Sequence, residues 1–100
     1  MNSYIISLPA SRDLRAIIDY FAVKNVDAGE RLLLLFNQKC QQLVSFPSMG
    51  RKYDNLRPGL RGIPLDGYII LYQLVGDGIE IVRVVSGRQN LEALFTNPQE

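Results

Sequence analysis

The side chains of this chain that could do chemistry without a metal or an imidazole are chiefly its cations, and four of its eleven are gathered in one place. Arg51, Lys52, Arg57 and Arg61 lie within eleven residues against the lone Asp54, and Arg83 and Arg88 follow near the C-terminus. Guanidinium and ammonium groups hold anions and steady developing negative charge. The cluster therefore reads either as a solvated loop that keeps the surface soluble, or as a patch for an acidic partner or nucleic acid. The chain has no histidine, and Cys40 is its only cysteine. Cys40 has no second cysteine for a disulfide, no imidazole to activate it and no partner ligand for a metal. A zinc site is excluded, no cofactor is expected, and Cys40 reads as a small buried hydrophobe. A reducing, cytoplasmic setting suits such a chain.

Arg83 interrupts an apolar run. Simple alternation puts it on one face with Ile79, Ile81 and Val85, where an unpaired cation would be costly. Either it sits at a sheet edge paired with Asp66, Glu80 or Glu92, or it points across an open sheet face toward Arg61 and forms an anion-binding pair with it. Tyr68 and Tyr72 share a face of their own strand, which suits core or cross-strand packing better than a base-stacking platform.

The elements that must position these groups follow from periodicity. Tyr4-Ile5-Ile6 reads as a strand. Leu14, Ile17, Ile18 and Phe21 form one helical stripe, giving a first helix over about 9–24 with Pro9 in its first turn and Asp13 and Asp19 on the polar side. Asp27 and Glu30 have capping-box spacing, so a second helix spans about 27–45 and stops before Pro47. The short connection makes the two helices an antiparallel hairpin. Leu33 and Leu34 fall off the main stripe, where they either widen the core face or offer a strip to an amphipathic partner helix. Strands at 60–64, 68–75 and 79–85, joined through Asp66-Gly67 and Gly76-Asp77-Gly78, form an antiparallel meander. Their nearly continuous apolar runs require cover on both faces, one by the helical hairpin and the other by something else, of which a partner is one candidate.

The order β-α-α-β-β-β is an α+β fold. One hundred residues, 47% hydrophobic and 21% charged, suit a single domain over 1–100 with a real core. The longest apolar runs are five residues, at 32–36 and 68–72, far short of a membrane span, and Met1-Asn2-Ser3-Tyr4 lacks the features of a signal peptide.

Several segments in this order resemble the RelE/ParE toxins of type II toxin–antitoxin systems: Ser11-Arg12-Asp13-Leu14, Phe46-Pro47-Ser48-Met49-Gly50-Arg51, Pro58-Gly59-Leu60-Arg61, Tyr68-Ile69-Ile70-Leu71-Tyr72, and Ile81-Val82-Arg83-Val84-Val85-Ser86-Gly87-Arg88 followed by Leu94-Phe95. The resemblance implies a protein that arrests growth when free and is silenced by a cognate antitoxin, in a heterodimer or a heterotetramer of two toxins and two antitoxins. RelE-like members cleave messenger RNA in the ribosomal A site, whereas ParE-like members poison DNA gyrase. Metal-free RNA cleavage needs a proton donor. The chain has no histidine and no tyrosine after Tyr72, and its Ser-Gly-Arg and Phe-Pro-Ser-Met-Gly-Arg segments look like the ParE branch. The expectation is a gyrase-binding inhibitor without catalytic residues of its own. Arg51, Lys52, Arg57, Arg61, Arg83 and Arg88 would face the target, and Leu33, Leu34, Ile81 and Val85 the antitoxin. The alternatives are a ribosome-dependent endoribonuclease built on Lys52, Arg61 and Arg83, and a non-toxic relative that only binds an antitoxin.

Overall fold

The computed structural model of the chain describes residues 3–95. A short strand β1 (Tyr4–Ile6) leads into α1 (Leu8–Lys24) and α2 (Val26–Ser45). The chain continues as β2 (Arg51–Lys52), β3 (Arg61–Leu65), β4 (Tyr68–Val75) and β5 (Gly78–Ser86), and the described residues close with the short helix α3 (Leu91–Phe95). The strand, helical hairpin and antiparallel meander stand where periodicity puts them. β2 and α3 are additions, each too short to carry a periodic signal.

Ser7 opens α1. Its hydroxyl accepts from the Ala10 amide at 3.2 Å and donates to the Val82 carbonyl at 2.9 Å, so the cap also anchors the helix to β5. Asn25 alone joins the helices: its amide donates to the Phe21 carbonyl at 2.7 Å, closing α1, and its side chain accepts from Ala28 N at 3.1 Å, opening α2. The expected cap, Asp27, instead lies inside the first turn of α2, where a carboxylate still complements the helix dipole. An asparagine two residues earlier fulfils the cap role with a shorter connection than the capping-box spacing suggests.

The sheet order is β1-β5-β4-β3-β2. β1 pairs parallel to β5, which the intervening helical hairpin permits, and the other neighbours are antiparallel. The β3–β4 connection is the two-residue turn Asp66-Gly67, with φ of 47° and 90°, the positive pair that a twisted hairpin favours.

One face of the sheet, carrying Ile63, Ile70, Tyr72, Ile79, Ile81 and Val84, packs on Ile17, Leu32, Phe36, Cys40 and Leu43 of the hairpin. Cys40 is the buried hydrophobe expected, with burial pushing its thiol up to about 12. On the outer face Leu60, Leu71, Val82 and Val85 form a second cluster. The sequence left that face to a possible partner, but the chain covers it itself, with Tyr53 and Leu56 of the loop after β2 and Leu91, Leu94 and Phe95 of α3. Ile81 is 0% and Val85 3% exposed, so neither offers the antitoxin-binding surface expected of it: one lies under the helices, the other in the outer-face cluster.

Alternation along β5 breaks once. Leu71 pairs with Arg83 and Tyr72 with Ile81, so Val82 is an extra residue opposite β4. Cross-strand partners share a face, which places Arg83 outward with Leu71 while Ile79 and Ile81 point inward. The single face drawn through Ile79, Ile81, Arg83 and Val85 is therefore corrected by the bulge.

Candidate functional site

Pro47 stops α2, and the chain must turn before entering β2. That turn is fastened from below by two strand residues. Tyr72, fully buried by its ring, donates its hydroxyl to the Pro47 carbonyl at 2.7 Å and accepts from Gly50 N at 2.9 Å. Arg61 donates from one guanidinium nitrogen to the carbonyls of Ser48 at 3.0 Å and Gly50 at 2.8 Å. Burial raises the Tyr72 phenol above its ordinary value, against the opposing pull of the Gly50 hydrogen bond and the Arg61 charge. Gly50 is required by space: a Cβ there would stand 2.5 Å from the Tyr72 hydroxyl. Tyr72 is thus core, as its position on the strand suggests, and its hydroxyl adds a function that spacing alone does not reveal.

The turn carries Phe46, 66% exposed, and Met49, 48% exposed. Arg51 and Lys52 follow at once on the edge strand β2, both exposed. The Arg51 guanidinium lies over the Tyr53 ring at 5.2 Å, and that of Arg57 over the Phe95 ring at 5.0 Å. Asp54, the one acid of the cluster, accepts from Gly59 N at 2.9 Å and so shapes its own loop. Arg88 is exposed beyond β5, where its amide is held by the Ser86 hydroxyl.

Arg61 and Arg83 do not form the expected pair. Arg61 is opposite Tyr72 and so belongs to the helix-facing side, while Arg83 is opposite Leu71 on the outer side. None of Asp66, Glu80 or Glu92 is the ion-pair partner of Arg83. It is Asp13 of α1, seventy residues away, with Nε to Oδ2 at 2.7 Å and Nη2 to Oδ1 at 3.0 Å. The Asp13 hydrogen bond, opposed by burial and assisted by its charge, raises the Arg83 pKa further above its ordinary value. The same carboxylate accepts from Val84 N at 2.9 Å, on the stretch of β5 beyond its pairing with β1. In sequence Asp13 is a polar-side residue of α1 and part of the Ser11-Arg12-Asp13-Leu14 segment, and nothing local there marks a partner so distant. Beside this pair, a groove of about 640 Å³ runs between Ser7, Pro9, Val82, Arg83, Arg57 and Phe95.

Leu34, 64% exposed, and Leu33, 38% exposed, remain on the surface of α2. They join Tyr20, Val23 and Val26 as exposed apolar side chains of the hairpin. Among the described residues no cluster of acidic or cysteine side chains could hold a metal ion, and no helix is long and apolar enough to cross a membrane.

Residues 4–91 match the family model described as ParE toxin of type II toxin-antitoxin system, parDE. The chain is 34% identical over 94 residues to Toxin ParE3 of Caulobacter vibrioides, covering 93% of this chain and 94% of that protein. It is 29% identical over 93 residues to Toxin ParE1 of Mycobacterium tuberculosis, covering 91% and 95%. Its fold is similar to a solved chain of the chromosomal ParDE TA system from P. aeruginosa, with a TM-score of 0.72 at 21% identity over 86% of this chain and 96% of that one. A match across almost every described element, in order, leaves one conclusion: the chain belongs to the ParE toxin family and is a toxin of a type II toxin–antitoxin system.

Proposed function

We propose that this toxin acts in the cytoplasm as a poison of DNA gyrase, binding the enzyme without chemistry of its own, and is neutralised by a cognate antitoxin. The observation that carries this reading is the internal use of the two arginines a nuclease would need. Arg61 spends one guanidinium nitrogen on two backbone carbonyls, and Arg83 is closed bidentately by Asp13 on the opposite face of the sheet. Lys52 alone remains, and a lone ammonium beside permanently protonated guanidinium groups makes a poor general acid–base set. The exposed cations Arg51, Lys52, Arg57 and Arg88 then serve as target contacts, and the exposed strip at Leu33 and Leu34 suits an amphipathic antitoxin helix in a heterodimer or heterotetramer.

The test is purified gyrase with supercoiled plasmid, run beside a translation extract probed for A-site cuts. Linear plasmid accumulating with intact messenger RNA is the expected result. Codon-phased cleavage of messenger RNA with untouched plasmid overturns it in favour of a nuclease built on Lys52, Arg61 and Arg83. Growth that continues on induction without the antitoxin would mark a non-toxic relative.

A further inference from the structure

The connection between α2 and β2 is a surface turn, yet it is held like a core segment. Four hydrogen bonds from two strand side chains, Tyr72 and Arg61, fix the backbone of Pro47, Ser48 and Gly50, and Gly50 cannot take a Cβ without striking Tyr72. On this rigid base stand two large apolar side chains in water, Phe46 and Met49. Solvation does not favour that placement, and a soluble loop would ordinarily carry polar residues there. Folding does not require it either, since neither side chain belongs to either apolar cluster.

Arg51 and Lys52 continue the segment, and neither has an ion-pair partner among the described residues. From this combination we infer that residues 46–52 are a preorganised protein-docking knob. Phe46 and Met49 would enter an apolar pocket on the target, and Arg51 and Lys52 would meet carboxylates at its rim. The assignment rests on the gyrase reading above and names the part of the toxin that engages the enzyme. Rigid aromatic and methionine anchors flanked by arginine are the composition of a protein interface. Two cations beside two apolar side chains would neutralise too few phosphates for a nucleic-acid backbone. Pinning the turn in advance lowers the ordering cost of binding.

The experiment uses the full chain, co-expressed with its antitoxin and then separated from it. Wild type, Phe46→Ala/Met49→Ala and Arg51→Glu/Lys52→Glu are compared for affinity to immobilised DNA gyrase, affinity to plasmid DNA, affinity to the antitoxin, and growth arrest. Each double variant should lose gyrase affinity by about 10-fold or more, the loss expected of anchor residues, with antitoxin affinity within about 2-fold. Variants that match wild type on gyrase overturn the knob and leave the gyrase reading intact. A wild type that binds no gyrase overturns that reading, and the knob then stands or falls on whether the variants lose growth arrest while still binding antitoxin. Retained affinity for gyrase with lost affinity for plasmid DNA would assign the segment to nucleic acid and overturn the proposal.

Discussion

At the scale of single residues, the side chains with most consequence join distant parts of the chain. Asp13 takes both the Arg83 guanidinium and the Val84 amide, so its loss removes an ion pair and strands a buried donor. The two effects differ in size. A partly solvated ion pair contributes only about 0–1 kcal/mol, whereas an unsatisfied buried donor costs roughly 1–3 kcal/mol. Arg83→Ala removes only the first, because Asp13 still accepts from Val84. Asp13→Ala should therefore destabilise the toxin by about 2–3 kcal/mol and Arg83→Ala by about 1 kcal/mol, with Asp13→Asn recovering part of the loss through its amide oxygen. Urea unfolding midpoints of the three variants check the order. Equal losses for Asp13→Ala and Arg83→Ala would mean that the Val84 contact contributes nothing.

At the scale of elements, the helical hairpin offers a case where propensity and packing disagree. Gly29 sits in α2 where it crosses α1, and a Cβ there would lie 2.9 Å from Phe21 Cβ, an atom fixed to the backbone and unable to swing away. Alanine favours a helix interior over glycine by about 0.8–1 kcal/mol, while overpacking costs roughly 1–3 kcal/mol. The clash should win, so Gly29→Ala is expected to lower stability by about 1 kcal/mol, measured by thermal unfolding. A stabilised variant would show that the helices can part without loss. The hairpin itself was legible in sequence because seventeen and twenty residues of helix give periodicity room to appear. The meander was legible because Asp66-Gly67 and Gly76-Asp77 mark its turns. β2, with two residues, and α3, with five, had no such room. The bulge at Val82 defeated alternation in β5, and with it the face assigned to Arg83 and the pairing of Arg83 with Arg61. The site was legible as a set of cations, but which of them stay free depended on contacts such as Asp13 with Arg83 that no local pattern records.

At the scale of the whole molecule, the question is what an antitoxin adds to a chain that already covers both faces of its sheet. With α3 and the loop after β2 over the outer cluster, the toxin does not need a partner to complete its core. Exposed apolar side chains remain elsewhere, among them Tyr20, Val23, Val26, Leu33 and Leu34 along the hairpin. A small domain of this size has about 5–15 kcal/mol of stability, so ligand binding can move its unfolding visibly. An antitoxin that binds only the folded toxin stabilises it by about 2.7 kcal/mol at one hundred times its dissociation constant. For a domain of 60–100 residues each kcal/mol shifts the midpoint by roughly 4–8 °C, which gives a rise of about 10–20 °C. The rise should continue with the logarithm of antitoxin concentration, which separates binding from completion of an unfinished fold. If the isolated toxin instead gave no cooperative transition until antitoxin was added in equal amount, α3 and the loop would not be holding the outer cluster closed. A midpoint that never moved would mean that the partner does not bind the folded toxin, and Leu33→Asp/Leu34→Asp would then have no effect to abolish. With binding intact, that double variant should flatten the titration, at a modest cost to the midpoint of the free toxin that comes mainly from Leu33, 38% exposed, and less from Leu34, 64% exposed.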